Sequence, residues 1–421
     1  MIFKCVRSSK LKYFLAATVF AASLSMAQTA SAGGFYIQEQ SASGLGAAFA
    51  GVSATPRDSS TLFYNIAGMT HLSGTNANLG AHLIFGDSEM RDTGSTFGGP
   101  LTGGNNGGNP FDPAVVPNLY ITHQTTDNFW IGLGITAPFG LELEYNDDFF
   151  ARYDSLENEL MTIDIQPSMA YRFNDWLSVG AGINYQFVNA KLTSVVSDGA
   201  EGISELEGDD ASFGYTASVL LEPWEHTRLG VNYRSTVNHT LDGRISLTGT
   251  AGSDFNVAGS ARLSTPDIAN FAVSHDISEQ WTLLGQANWY GWNDFEAITA
   301  RNAAGGIIEN VVQNYQAVWG YAIGAEYTYD DEWTFRAGYQ YDNTPTTDEY
   351  RTTRIPDGDR QWFTAGTTYN MNNGFSFDLG LAYIDVDEET INISRNSNLA
   401  AINAETEGSV AIVSLGLNYK F

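Results

Sequence analysis

The sequence predicts an all-β protein: a membrane-spanning antiparallel β-barrel of about 14 strands with a small, partly helical N-terminal hatch plugging its lumen. Three observations predict it. Several segments alternate strictly between apolar and small polar residues, short and long connections alternate along the chain, and no apolar run beyond residue 32 approaches the roughly 20 residues a spanning helix needs. The C-terminal run AIVSLGLNYKF puts Ala411, Val413, Leu415, Leu417, Tyr419 and Phe421 on one face and Ser414, Gly416, Asn418 and Lys420 on the other. Residues 177–187 and 333–341 repeat the pattern. A soluble sandwich would turn the apolar face into a core, with no reason to collect aromatics at strand ends. A membrane barrel turns it to lipid, gathers aromatics into interfacial girdles and lines its lumen with the polar face.

Residues 1–32 read as a secretory signal, in which Lys4, Arg7, Lys10 and Lys12 precede an apolar run from Tyr13 to Leu24 and Ala30-Ser31-Ala32 fits small-residue cleavage. Cleavage there removes four of the 20 basic residues and none of the 48 acidic ones, moving the net charge from −28 to −32. Nucleic acid is excluded as a partner by that charge. Cys5 leaves with the signal, so a disulfide, a zinc-thiolate site and a cysteine nucleophile are excluded too.

Residues 33–73 are rich in small residues and poorly patterned for strands. Leu45, Phe49, Leu62 and Phe63 are scattered anchors, and Asp58 to Ser60 form a cap-like start. Short helical turns inside the barrel fit this composition, since a lumen about 14 strands wide needs filling. Residues 74–421 then form the barrel. Short polar turns near 126–128, 174–175, 222–225, 276–280, 330–332 and 370–374 alternate with longer segments at 86–115, 141–159, 193–210, 246–261, 297–312, 343–358 and 387–407. That alternation matches periplasmic turns and extracellular loops, with both chain ends periplasmic.

The chain resembles the FadL family, the outer-membrane transporters of long-chain fatty acids and related hydrocarbons in Gram-negative bacteria. The resemblance spans nearly the whole mature chain and is carried by GGFYIQEQSASGLGAAFAG, YNIAGM, VPNLY, YDDEWTFRAGYQYDNTP and IPDGDRQWFTAGTTY, in that order. It implies a 14-stranded barrel, an N-terminal hatch and a lateral exit at an inward kink of the third strand. Two departures stand out. The family ends its hatch with Asn-Pro-Ala where this chain has Asn65-Ile66-Ala67, restoring a backbone N–H at Ile66. The segments 193–210 and 246–261 are shorter than the family's long loops, which puts its hydrophobic docking groove in question.

The third strand holds GLGITAPFGLE, where Pro138 deletes a ladder donor and Gly140 offers no side chain. The stretch Ala137-Pro138-Phe139-Gly140 is therefore the expected kink; the alternative is that Pro138 ends the strand at the rim. An acyl chain gains roughly 0.8 kcal/mol per buried CH₂, so sideways release into the membrane avoids a costly aqueous crossing. The same reasoning predicts an apolar pocket with a polar group for a carboxylate. Strand parity turns Arg234, Arg336, Arg360 and Trp362 inward, together with Asp164 and Glu326. The arginines are candidates for the carboxylate, the alternative being that they pin the plug, and Arg234 stands out for its uncharged neighbours Asn232 and Thr236. Phe35 and Trp362 are candidates for the ligand pocket, Phe35 because the family's hatch end reaches its binding site.

Enzymatic motifs are absent. The six histidines are isolated in sequence, and neither H-E-x-x-H nor G-x-S-x-G occurs, which leaves only a Ser–His dyad assembled in space. The acidic run at Asp385–Glu389 reads as a solvated loop rather than a calcium site. The expectation is thus a monomeric, cofactor-free and metal-free barrel, in outer-membrane lipid and lipopolysaccharide, importing long-chain fatty acids passively. Aromatic hydrocarbon uptake and a structural or adhesive role are the alternatives.

Overall fold

The computed structural model describes residues 33–421 except 100, 372, 396 and 397. The predicted signal at 1–32 lies outside the described residues. Fourteen antiparallel strands close on themselves. They are β1 (Thr75–Asp92), β2 (Ala114–Thr126), β3 (Phe129–Thr136 and Gly140–Glu144), β4 (Glu157–Asn174), β5 (Leu177–Ser197), β6 (Glu201–Trp224) and β7 (Thr227–Arg234 and Asn238–Thr248). There follow β8 (Phe255–Ser264 and Asp267–Asp276), β9 (Trp281–Gly291 and Ala297–Asn302), β10 (Ile307–Val312 and Val318–Thr328), β11 (Trp333–Asp342), β12 (Arg360–Asn370), β13 (Phe375–Arg395) and β14 (Ala400–Lys420). Pairing of β1 with β14, from Asn76↔Lys420 to Asp92↔Ala404, closes the cylinder and leaves no open edge.

Alternation does what lipid requires. On β14, Leu415 is 52% exposed while its neighbour Ser414 is fully enclosed, and Ile183 and Phe213 likewise face outward. Phe173, Trp176, Trp224, Tyr329, Trp333 and Phe421 crowd beside the short turns as an exposed girdle.

The long connections differ from expectation. Of 193–210 only residues 198–200 lie outside strand, and 387–407 is mostly strand up to Arg395 and from Ala400. Gly, Asp and Ser, read as loop formers, are carried there by long two-stranded ridges whose ladders, unbroken between β5 and β6 and with one register shift at Val386/Glu389 between β13 and β14, compensate for weak local propensity. Strands β7 to β10 are also interrupted, at 235–237, 265–266, 292–296 and 313–317.

Residues 33–72 fill the lumen with two short helices, Ala42–Leu45 and Thr61–Tyr64, and a 3-10 helix, Ile66–His71. Ser41 caps the first by accepting from Gly44 N at 3.1 Å. Asp58 starts the second by accepting from Ser60 N at 2.7 Å. Ala48 and Phe49 adopt positive φ of 51° and 56°, turning the chain back where Phe49 meets Trp362 edge-on at 6.5 Å. At several points the segment lies against the wall's backbone: a Cβ on Gly338 would overlap Ala47, and one on Gly230 would overlap Ser53.

Candidate functional site in the barrel wall

The β2–β3 ladder runs from the short turn up to Leu119↔Ile135 and stops. Above it, β3 resumes at Gly140–Glu144 but pairs only with β4, and contact with the β2 side returns where Glu144 N donates to Pro110 O at 2.9 Å. Residues 114–118 and 136–143 therefore face each other across a gap in the wall. Pro138 lies ten residues beyond Asn128; at about 3.3 Å per residue and a tilt near 40° this is about 25 Å up the barrel, at the outer edge of the apolar band.

Ala137, Pro138, Phe139 and Gly140 are all buried. The N-terminal segment satisfies the broken ladder from inside. Ile37 N donates to Pro138 O at 2.8 Å, Gly140 N to Phe35 O at 3.0 Å, and Gln40 Nε2 to Ala137 O at 2.9 Å. Tyr36 and Phe139 form an antiparallel bridge, and Thr162 on β4 takes both the N–H and the carbonyl of Phe139. Residues 35–37 thus act as a strand fragment added to the kink.

Phe35, 1% exposed, sits beside this stretch, its carbonyl accepting from Gly140 N. Its ring meets Trp292 at 4.6 Å, Phe295 at 5.4 Å and Phe139 at 6.1 Å, all edge-on. Trp292 and Phe295 come from the interruption of β9, and Tyr315 from that of β10, so two inward kinks on nearly opposite walls clasp one side chain. The preceding residue must be glycine. Gly34 has φ of 71°, and a Cβ there would approach Trp292 to 2.8 Å. Sequence reasoning missed this aromatic nest; the signal was GWNDF at 291–295, a turn-like interruption with two large aromatics.

Two clefts meet at Phe35 and the neighbouring Gly34. The outer one, about 800 Å³ counting the space open to solvent, is lined by Phe35, Leu141, Leu160, Leu241, Leu263 and Ile355, with Arg354 beside Ile355. The inner one, about 550 Å³ counting the space open to solvent, is bordered by Gly34, Phe111, Leu141, Ile355 and Arg360 and also by the carboxylates Asp87, Asp357, Asp387 and Glu407. Leu141 and Ile355 border both.

The predicted arginines separate into two groups. Arg234 is held by Asp164 at 2.5 Å and Gln166 at 3.0 Å and lies over the Phe63 ring at 4.6 Å. Arg336 binds Glu326 at 2.6 Å, and Glu326 also binds Arg57 of the N-terminal segment at 2.7 Å. Both fasten plug to wall, and neither lines the outer or the inner cleft. Arg360 lines the inner cleft, pairs with Asp357, and keeps Nε and Nη1 buried without a hydrogen-bond acceptor. Asp357 in turn accepts from Gly34 N at 2.8 Å. Trp362 lies below, fully enclosed against Phe49.

Asn65-Ile66-Ala67 opens the 3-10 helix. Asn65 Oδ1 accepts from Ala67 N at 3.0 Å, while Asn65 Nδ2 donates to Ser53 O and to Val219 O on β6. Ile66 occupies the first helical position, where its N–H is not required by the helix, and packs beside Gly180 and Gly182 of β5. Within the same segment Glu39 is completely buried, and burial pushes its carboxyl up to about 8. A Ser–His pair does assemble in space: His82 Nδ1 lies 2.6 Å from Ser414 Oγ and its Nε2 lies 2.7 Å from Asn118. All three are fully enclosed and line neither cleft.

Comparison with known proteins agrees with this architecture. Residues 23–421 match the family model described as outer membrane protein transport protein (OMPP1/FadL/TodX). The long-chain fatty acid transport protein of Escherichia coli O6:H1 is 29% identical over 455 residues, covering 98% of this chain and 100% of that protein. Outer membrane protein P1 of Haemophilus influenzae is 26% identical over 462 residues, covering 98% and 100%. Among solved structures, a Pseudomonas aeruginosa FadL homologue superposes with a TM-score of 0.85 at 24% identity, covering 92% of this chain and 100% of that one. The Ralstonia pickettii toluene transporter TbuX gives 0.64 at 18% identity, covering 90% and 99%. The chain belongs to the OMPP1/FadL/TodX family of outer membrane transport proteins and is a transport barrel of the bacterial outer membrane.

Proposed function

We propose that the protein takes up hydrophobic molecules, long-chain fatty acids above all, passively through the outer cleft and releases them sideways into the membrane between β2 and β3. The observation that carries this reading is the gap itself: an unpaired stretch of wall at the outer edge of the apolar band, stoppered from inside by Phe35 and backed by a cleft that mixes apolar Phe111, Leu141, Ile355 and Val410 with charged Asp87, Asp357, Arg360, Asp387 and Glu407. A closed barrel has no structural need for it, because an unpaired ladder in hydrocarbon costs several kcal/mol unless something completes it. Here residues 35–37 are the completing piece. When they leave, cleft and membrane connect, and an apolar solute avoids the aqueous lumen. Arg360, with buried unused donors beside the gap, holds the carboxylate there. Residues 33–73 are the hatch, and the barrel works as a monomer in lipid and lipopolysaccharide without a cofactor. The relatives' names favour fatty acids, since several relatives matched over their whole length are long-chain fatty acid transport proteins.

The aromatic nest around Phe35 favours a second substrate, aromatic hydrocarbons, because edge-on ring pairs exchange readily with an aromatic ligand. Cells lacking their own fatty-acid transporter but displaying this protein should accumulate labelled oleate, and Pro138→Val should slow that uptake. Uptake of toluene alone would transfer the assignment to hydrocarbons. Uptake of neither by a properly inserted barrel would overturn the transport reading in favour of a structural role.

A further inference from the structure

We infer that Arg354 is a second anion station, one that receives the carboxylate of an anionic amphiphile in the outer cleft before Arg360 receives it at the wall gap. The inference rests on the uptake reading and adds to it a binding residue and a direction of travel.

Arg354 is 4% exposed and lines the outer cleft. Buried guanidinium groups elsewhere in the barrel have close carboxylates: Arg234 at 2.5 Å, Arg336 at 2.6 Å and Arg351 at 2.7 Å. Arg354 does not. Its nearest carboxylate oxygens, on Asp154 and Glu309, stand at 3.9 and 3.7 Å, beyond hydrogen-bonding distance. Nη1 donates to Asn158 Oδ1 at 3.1 Å, while Nε is buried with no acceptor. Asp154 does not depend on it either, because Arg395 Nε at 2.7 Å and the Thr353 N–H and hydroxyl, at 2.9 and 2.7 Å, already fill its oxygens. A buried cation with unused donors beside an aliphatic cleft is what a carboxylate with a long tail requires: charge-assisted hydrogen bonds at one end and apolar walls along the rest.

Arg354 lines the outer cleft and Arg360 the inner one, and Ile355 and Leu141 border both. The headgroup therefore passes from one guanidinium to the other across a two-residue apolar sill, while the tail stays among Leu160, Leu241 and Leu263.

The test is equilibrium binding of labelled oleate and of oleyl alcohol to the full-length barrel in nanodiscs, comparing wild type with Arg354→Gln. Wild type should bind oleate at least about tenfold more tightly than the alcohol. In R354Q the oleate affinity should fall about tenfold or more, the alcohol affinity should stay within about twofold, and Arg354→Lys should recover part of the loss. Equal losses for both ligands, or no loss for either, would mean that Arg354 only ties loops together, and the inference fails. Should R354Q not fold, as judged by resistance of the barrel to heating in detergent, the wild-type preference decides: equal affinity for acid and alcohol overturns the inference. Wild type binding neither ligand would instead overturn the uptake reading.

Discussion

Replacing Phe35 by alanine tests the stopper directly. The ring is almost wholly buried and meets three aromatic neighbours within 6.1 Å. Truncating a buried Phe costs about 3–5 kcal/mol, of which each lost edge-on contact accounts for roughly 0.5–1.5 kcal/mol. The backbone bonds beside it, Ile37 N to Pro138 O and Gly140 N to Phe35 O, remain possible but lose the anchor that holds them in place. At 1.4 kcal/mol per tenfold, the equilibrium between seated and released terminus should shift by about a hundredfold to a few thousandfold toward release. Hydrogen exchange reads that equilibrium: the Ile37 and Gly140 amides should lose protection by at least about a hundredfold, while the β1–β14 ladder stays protected. Ile37 protection within about threefold of wild type, in a barrel that still resists heating, would refute the view that Phe35 holds the gap shut.

Glu39 makes seating of the same segment sensitive to pH. Its carboxyl is raised from an ordinary 4.5 to about 8, chiefly by burial and opposed by Arg360, while Asp342 adds to the rise. The seated segment therefore favours the protonated form: the stabilisation is fully present below about 4.5 and is lost as the pH rises through about 8, at roughly 1.4 kcal/mol for each pH step of one between those two values. Exchange at residues 34–40, corrected for intrinsic rates, should be faster at pH 9 than at pH 6, and Glu39→Gln should remove the difference; a variant that keeps it assigns the effect elsewhere. Gly338→Val should leave the barrel folded yet displace the hatch, because the new side chain overlaps Ala47 backbone at a cost of roughly 1–3 kcal/mol or more. Trypsin should then cut at Arg57; resistance equal to wild type would show that the segment can shift aside.

The barrel was written in the amino-acid order. A two-residue period is a backbone property of strands, and lipid outside with polar filling inside imposes it on nearly every segment, so Leu415 outward and Ser414 inward could be read without coordinates. The short turns and the strand number were legible for a similar reason: turn chemistry is local. Length of the outer strands was not legible, since ladder pairing overrode the loop-like composition of 193–210 and 387–407. What each inward charge does emerges only from the folded chain. Parity placed Arg234, Arg336 and Arg360 in the same lumen, but whether an arginine is held by Asp164, shares Glu326 with Arg57 or pairs with Asp357 while keeping buried donors unused emerges only once the strands and the N-terminal segment are assembled. The same holds for Phe35, whose role arises where the terminus meets β3 and β9, two strands that no local pattern connects.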